Sequence, residues 1–225
     1  GIVQSICATE DYIICIENTV DNATDADTVS AYYKNDIDEN GNPVERYSLA
    51  KRVSDTNWEH GNGMTYNPNT NEIYVALYTD MIEGNKGCIY VMDPATLAYK
   101  RTVKISDEFN ILGIDYMEDT DQYVIQTNAD GGYSFKILDA DFQIVEDLGS
   151  YANTAKGHNF QDFYIVSTHA AWLFRDMTQV CIQAPSFLGQ HLYNTCMLTM
   201  SMVWGKNPVP AAACIPSLLC IQQVQ

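Results

Sequence analysis

The sequence predicts an all-β protein of repeated, acidic, four-stranded antiparallel units, followed by a C-terminal segment of different character. Three observations carry this. Two stretches 50 residues apart repeat a strand–turn–strand pattern, 15 of 225 residues are tyrosine, and Asn, Asp, Pro and Gly interrupt the alternating apolar runs. Tyrosine favours pleated, half-buried surfaces. Self-similarity at a fixed spacing of this size is the signature of stacked supersecondary units.

The clearest unit begins at Gly63-Met64-Thr65-Tyr66, turns through Asn67-Pro68-Asn69-Thr70-Asn71 and returns as Glu72-Ile73-Tyr74-Val75-Ala76-Leu77. Its counterpart is Gly113-Ile114-Asp115-Tyr116, the turn Met117-Glu118-Asp119-Thr120-Asp121, then Gln122-Tyr123-Val124-Ile125-Gln126-Thr127. Two β-rich runs around a short polar turn read as a hairpin. The second halves repeat as well. Ile89-Tyr90-Val91-Met92-Asp93 leads through Pro94-Ala95-Thr96 to a strand over 97–103, and Phe135-Lys136-Ile137-Leu138-Asp139 leads through Ala140-Asp141 to one over 142–148. Asp93 and Asp139 occupy equivalent turn positions, where the carboxylate can accept from amides two residues on. One unit is therefore four antiparallel strands in roughly 45–50 residues.

A looser copy precedes these, with strands expected at Tyr12–Ile16, Val29–Tyr33 and Arg46–Ala50. The loop Asn35-Asp36-Ile37-Asp38-Glu39-Asn40-Gly41-Asn42 has part of a calcium-loop spacing, but the position six beyond its Gly is Tyr47 in place of Glu, which favours a solvated turn. A further hairpin begins at Asn159-Phe160-Gln161-Asp162-Phe163-Tyr164-Ile165-Val166 and then loses its pattern.

Charge divides the chain. Residues 1–150 hold 9 Lys and Arg against 27 Asp and Glu, a net −18, whereas residues 151–225 hold 3 against 2. Four of the seven cysteines (Cys181, Cys196, Cys214, Cys220) lie in the last 45 residues with Met197, Met200 and Met202. The expected organisation is 1–163 as repeated units and 164–225 as an atypical apolar, Cys/Met-rich tail. Three readings stand for the tail: a separate small domain, a hydrophobic interaction segment, or a peptide from a shifted reading frame. The chain starts Gly1-Ile2-Val3 with neither an initiator Met nor a signal segment, which reads as a processed product or a fragment.

The net charge of −17 argues against a nucleic-acid partner, since displacing counterions from phosphates needs Lys and Arg. It suits solubility, cationic partners or a divalent metal. No apolar run reaches the ~18 residues of a membrane helix. None of the seven cysteines forms a CxxC pair, and their odd number requires at least one free or intermolecular thiol. Nucleophile-elbow, P-loop, dinucleotide-binding and H-E-x-x-H signatures are all missing. Asn128-Ala129-Asp130-Gly131-Gly132 reads as a hairpin turn, and Asn22-Ala23-Thr24 is a bare glycosylation sequon.

The hairpin repeats resemble those of the β-propeller group with NHL- or YWTD-like units, including the extracytoplasmic propellers of bacteria, over about residues 5–165. The WD dipeptide and a YWTD run are not present. The resemblance implies β-propeller-like blades, about three of them recognisable, packed face to face around an axis. An incomplete ring leaves apolar sheet faces bare, so self-association through open blade faces or the tail is expected. It also implies ligand, peptide or glycan binding, or metal-assisted hydrolase or lyase chemistry, at one end of the axis, and weakly an extracytoplasmic or secreted location.

In such an arrangement the loops leading into the innermost strands converge. They are Trp58-Glu59-His60-Gly61-Asn62, Glu108-Phe109-Asn110 and Gly157-His158-Asn159. Ligand binding is accordingly expected at Trp58, His60, Asn62, Asn110, His158 and Asn159, and a divalent metal, if one binds, at Glu59, His60 and His158. The leading functional expectation is a non-catalytic binding module for a small molecule, peptide or glycan. A metal-assisted hydrolase or lyase and a structural protein assembling through its tail are the alternatives.

Overall fold

The computed structural model describes residues 2–18, 27–78, 82–129, 132–152, 162–165 and 219–222. Three four-stranded antiparallel sheets follow one another along the chain. Blade 1 consists of β1 (Ile2–Ala8), β2 (Tyr12–Asn18), β3 (Asp27–Tyr33) and β4 (Leu49–Thr56). Blade 2 consists of β5 (Gly63–Asn67), β6 (Glu72–Ala76), β7 (Cys88–Met92) and β8 (Tyr99–Lys104). Blade 3 consists of β9 (Ile111–Met117), β10 (Gln122–Ala129), β11 (Gly132–Leu138) and β12 (Ile144–Ala152). A fourth inner strand, β13 (Asp162–Ile165), pairs antiparallel with β14 (Leu219–Gln222). This is an all-β architecture of propeller-like blades. No helix long and apolar enough to cross a membrane occurs among the described residues.

The turns anticipated from sequence form by the expected chemistry. Asp93 Oδ1 accepts from the Ala95 and Thr96 amides at 2.9 and 2.8 Å, and Asp139 Oδ1 from those of Asp141 and Gln143 at 3.0 and 2.8 Å. The two hairpin turns also match. Asn71 and Asp121 close them with φ of 51° and 52°, a left-handed conformation that Asn and Asp tolerate. In the 35–42 loop, Asp38 Oδ1 accepts from the Asn40 and Asn42 amides, an ordinary solvated turn.

Blade 1 departs from the expectation in two places. Its first strand, β1, was not anticipated, because Ile2-Val3-Gln4-Ser5-Ile6-Cys7-Ala8 precedes any turn signal. Its last strand begins at Leu49, not Arg46: Arg46 and Tyr47 form a turn, with Tyr47 at φ 66°, and the ladder continues through the polar residues Lys51, Arg52 and Ser54. An outermost strand is solvated on one side, so its alternation is weak; β8 and β12 are largely exposed in the same way.

Three apolar layers join the blades. Ile14, Ile16 and Val29 of blade 1 meet Met64, Ile73, Val75 and Tyr90 of blade 2. Tyr74, Ile89 and Val91 of blade 2 meet Ile114, Tyr123 and Ile125 of blade 3. Val124, Phe135 and Ile137 of blade 3 meet Phe163 and Ile165 of β13. Alternate residues of one strand thus serve opposite layers, as the two-residue period of a pleated strand requires. The inner strands touch in the order β1, β5, β9, β13.

Candidate functional site at the leading end of the inner strands

A polar ladder crosses the inner strands at a 50-residue period. Thr65 Oγ1 accepts from the Tyr116 amide at 3.1 Å and donates to Asp115 Oδ1 at 3.0 Å. Asp115 Oδ2 in turn accepts from the Ile165 amide at 2.6 Å. Thr65 and Asp115 therefore hold equivalent positions, and so do Tyr116 and Ile165. Counting back three residues aligns Gly113 with Asp162, while the pairings Met64↔Val75, Ile114↔Ile125 and Ile6↔Cys15 align Gly63, Gly113 and Ser5.

Asp162 stands where blades 2 and 3 have glycine and blade 1 has Ser5, and it uses the space those glycines leave. A Cβ on Gly63 would lie 2.5 Å from Asp162 Oδ1 and 3.0 Å from the Cα of Gly113; one on Gly113 would lie 3.1 Å from the same carboxylate oxygen. The carboxylate accepts from the Phe163 amide at 2.9 Å and from the Met64 amide. Burial pushes its carboxyl well above the usual range, and Asp115 adds to the rise. Asp115, 7% exposed, is pushed up to about 6 by burial against three stabilising hydrogen bonds. Burial raises the Cys7 thiol too, helped by Asp162, Cys15 and Asp115. The interior of this end thus favours neutral groups.

Several polar atoms here are buried without a partner among the described residues: Ser5 Oγ, Asn110 Oδ1, and both Nε2 and Oε1 of Gln126. Gln126 is fully buried and pairs directly with Gly113, so its side chain leaves the sheet on the side where Asp162 covers that glycine. Orphaned polar atoms in native interiors are few, and each calls for a water, an ion or a ligand.

The loop over 57–62 joins all three blades at this end. The Trp58 amide donates to Asp27 Oδ2 at 2.6 Å, Asn18 Nδ2 to the His60 carbonyl at 3.0 Å, and Asn62 Nδ2 to the Leu112 carbonyl at 2.6 Å. His60 lays its ring against Tyr78, with centroids 4.9 Å apart. The Asn110 amide donates to Asn128 Oδ1 at 2.7 Å. His60 and Asn62 thus lie on the loop leading into β5, and Asn62 reaches the Leu112 carbonyl, two residues past Asn110. Trp58 is a core residue, 1% exposed, with Tyr90 and Tyr99 at 6.2 and 6.5 Å, so its ring offers no stacking platform. Glu59, 3% exposed, accepts from Asn85 Nδ2 at 2.5 Å, and that amide also reaches Tyr90. His158 and Asn159 lie outside the described residues. No cluster of three metal-ligating side chains occurs among those described.

No family model matches the chain, and neither does any curated protein. Among solved structures it is similar to hydrazine synthase of Kuenenia stuttgartiensis, with 16% identity and a TM-score of 0.46 over 72% of this chain and 40% of that one. It is also similar to the β-propeller domain of the Trilobed protease from Pyrococcus furiosus, described as having an open velcro topology, with 16% identity and a TM-score of 0.39 over 72% of this chain and 47% of that one. The chain spans less than half the length of either. The class rests on the three sheets themselves, which define a protein of β-propeller-type blades.

Proposed function

We propose that the chain is a non-catalytic binding module of the β-propeller kind that takes a small polar ligand (a sugar unit of a glycan, a peptide group or a comparable small molecule) at the leading end of its inner strands. One observation carries the reading: Gln126, fully buried, offers a donor and an acceptor with no partner among the described residues, on the side of the sheet where Asp162 lies. Asp162, whose carboxyl burial pushes well above the usual range, adds a polar group on the same side. His60 on Tyr78 and the side-chain carbonyl oxygen of Asn110 supply the rim.

The same reading takes residues 1–163 as the binding unit, with its last inner strand β13 running on to Ile165 and pairing with β14, the rest of 164–225 as a distinct segment, and the chain beside the NHL- or YWTD-like extracytoplasmic propellers. The test is calorimetric titration of a panel of oligosaccharides and short peptides, repeated on Gln126→Leu. Micromolar binding to a panel member is expected, weakened at least tenfold in the variant. The variant should meanwhile melt no lower than the parent, because removing unpaired buried polar atoms relieves a desolvation cost. A silent panel sinks the proposal, and a stoichiometric divalent metal on elemental analysis would transfer the site to metal-assisted chemistry.

A further inference from the structure

Asparagine is followed by glycine twice in the chain, at Asn40-Gly41 and Asn62-Gly63. In such a step the electrophilic side-chain amide carbon lies close to the next backbone nitrogen, and glycine, with no Cβ, hinders their approach least. The fold treats the two steps in opposite ways. Asn40 and Gly41 are exposed in the 35–42 loop of blade 1. Gly41 turns at φ 81°, and a Cβ built on it would meet nothing within 4 Å. The Asn40 side chain bonds to the Asp38 carboxylate, and the Gly41 amide donates to the Asp38 carbonyl at 3.0 Å. These are contacts of a single turn in reach of water.

Asn62, by contrast, is fully buried. Its amide donates to the Ala76 carbonyl at 2.9 Å and its Nδ2 to the Leu112 carbonyl at 2.6 Å. Gly63 lies in the β5–β6 ladder opposite Ala76, so moving its nitrogen onto the Asn62 side chain would disrupt blades 2 and 3 together. Asn42 supplies a third case. It is exposed in the same loop as Asn40 but is followed by Pro43, whose nitrogen carries no proton to lose.

We propose that Asn40 is a site of spontaneous deamidation, a modification that the structure confines to one of the two Asn–Gly steps. The Gly41 nitrogen gives its proton to solvent base and attacks Asn40 Cγ. The new C–N bond closes a succinimide ring, the Cγ–Nδ2 bond breaks, and Nδ2 leaves as ammonia with a proton taken from water. Water then opens the ring at either carbonyl, leaving aspartate or isoaspartate at position 40. Both products set another carboxylate beside Asp36, Asp38 and Glu39. Isoaspartate also lengthens the main chain by one carbon, which draws the Gly41 amide off the Asp38 carbonyl and strains the Ile37–Pro43 bridge across the loop.

Peptide mapping of the full chain, held folded in mildly alkaline buffer, tests the proposal. Trypsin cleavage after Lys34 and Arg46 releases Asn40 and Asn42 on one peptide and Asn62 on another, and fragment masses assign each conversion. Conversion at Asn40 is expected at least tenfold faster than at Asn62 or Asn42. In guanidinium chloride Asn62 should catch up with Asn40 and Asn42 should not, because the fold protects the first and proline the second. Gly41→Ala should slow conversion of Asn40 at least tenfold while the β circular-dichroism signal stays unchanged. Equal rates at Asn40 and Asn62 in the folded chain overturn the inference, and so does a Gly41→Ala chain that converts as fast as its parent.

Discussion

Asp115 sits 7% exposed between inner strands, and burial holds its carboxyl at about 6 against an ordinary value of 3.8. Below pH ~4 the folded and unfolded states both carry the proton. Between about 4 and 6 the unfolded chain has lost it and the native state has not, so stability falls as pH rises through that window and levels off above it. The gap corresponds to about 3 kcal/mol. Asp162 acts in the same direction. Glu72 acts oppositely. Arg101 above all, with Lys100 and Tyr74, holds its carboxyl at about 2, so its contribution is full above 4.5 and is lost as pH falls toward 2. Urea midpoints measured from pH 2 to 8 should therefore rise, peak and decline toward pH 6, and Asp115→Asn should flatten the decline while sparing the acid limb. An unaltered decline in that variant would move the titration to another group. Sequence alone singled out His60, Asn62 and Asn110 because histidine and loop amides carry recognisable chemistry. Thr65 and Asp115, 50 residues apart, read as ordinary strand alternation. Their role was encoded in the shared spacing and needed the neighbouring inner strand to become visible.

The inner strands approach so closely that Gly63 and Gly113 have no room for a side chain. On Gly63 a Cβ would meet the Asp162 carboxylate at 2.5 Å and the Gly113 backbone at 3.0 Å. Gly63→Ala should cost about 1–3 kcal/mol, the range for overpacking a filled interior. Asp162→Ala in the same chain should restore part of that, because the carboxylate is the nearer obstacle and the backbone the one that stays. Denaturant midpoints of the two variants decide it, and a neutral Gly63→Ala would mean that β5 and β9 stand further apart. The glycine at the head of each hairpin was legible from the repeat, and so were the turns, because Asp93 and Asp139 recur in identical roles. The outer strand of blade 1 was not. Its residues face water on one side, their polarity does not alternate cleanly, and the turn at Tyr47 carries neither Gly nor Asn. β1 was missed for a related reason: with no turn ahead of it, nothing in the local sequence marks its start.

Across the whole molecule, cohesion comes from apolar layers between blades while charge opposes it. The chain carries 29 Asp and Glu against 12 Lys and Arg, and 27 of the acidic residues fall in residues 1–150, where the three sheets lie. Local pairs offset little of this. Lys104–Asp107 is a screened surface contact and Arg52–Glu17 a half-buried one, and the better-buried pairs, Glu72 with Lys100 and Arg101 and Lys136 with Asp147, engage only two of the carboxylates. The unbalanced remainder repels over distances set by salt, about 30 Å at 0.01 M and under 10 Å above 0.15 M. At low salt, acidic residues on different blades therefore feel one another, and compaction into a stack works against that repulsion. Unfolding separates the charges, so screening favours the native state more than the unfolded one. Raising sodium chloride from 10 to 300 mM at pH 7.5 should lift the melting temperature by several degrees, and most of the gain should come before 150 mM. Apolar burial responds to salt type more than to these modest concentrations, so sodium sulfate at matched ionic strength should give nearly the same rise if repulsion governs. A melting temperature that falls with salt would instead make the ion pairs, not the excess of carboxylates, the dominant electrostatic contribution.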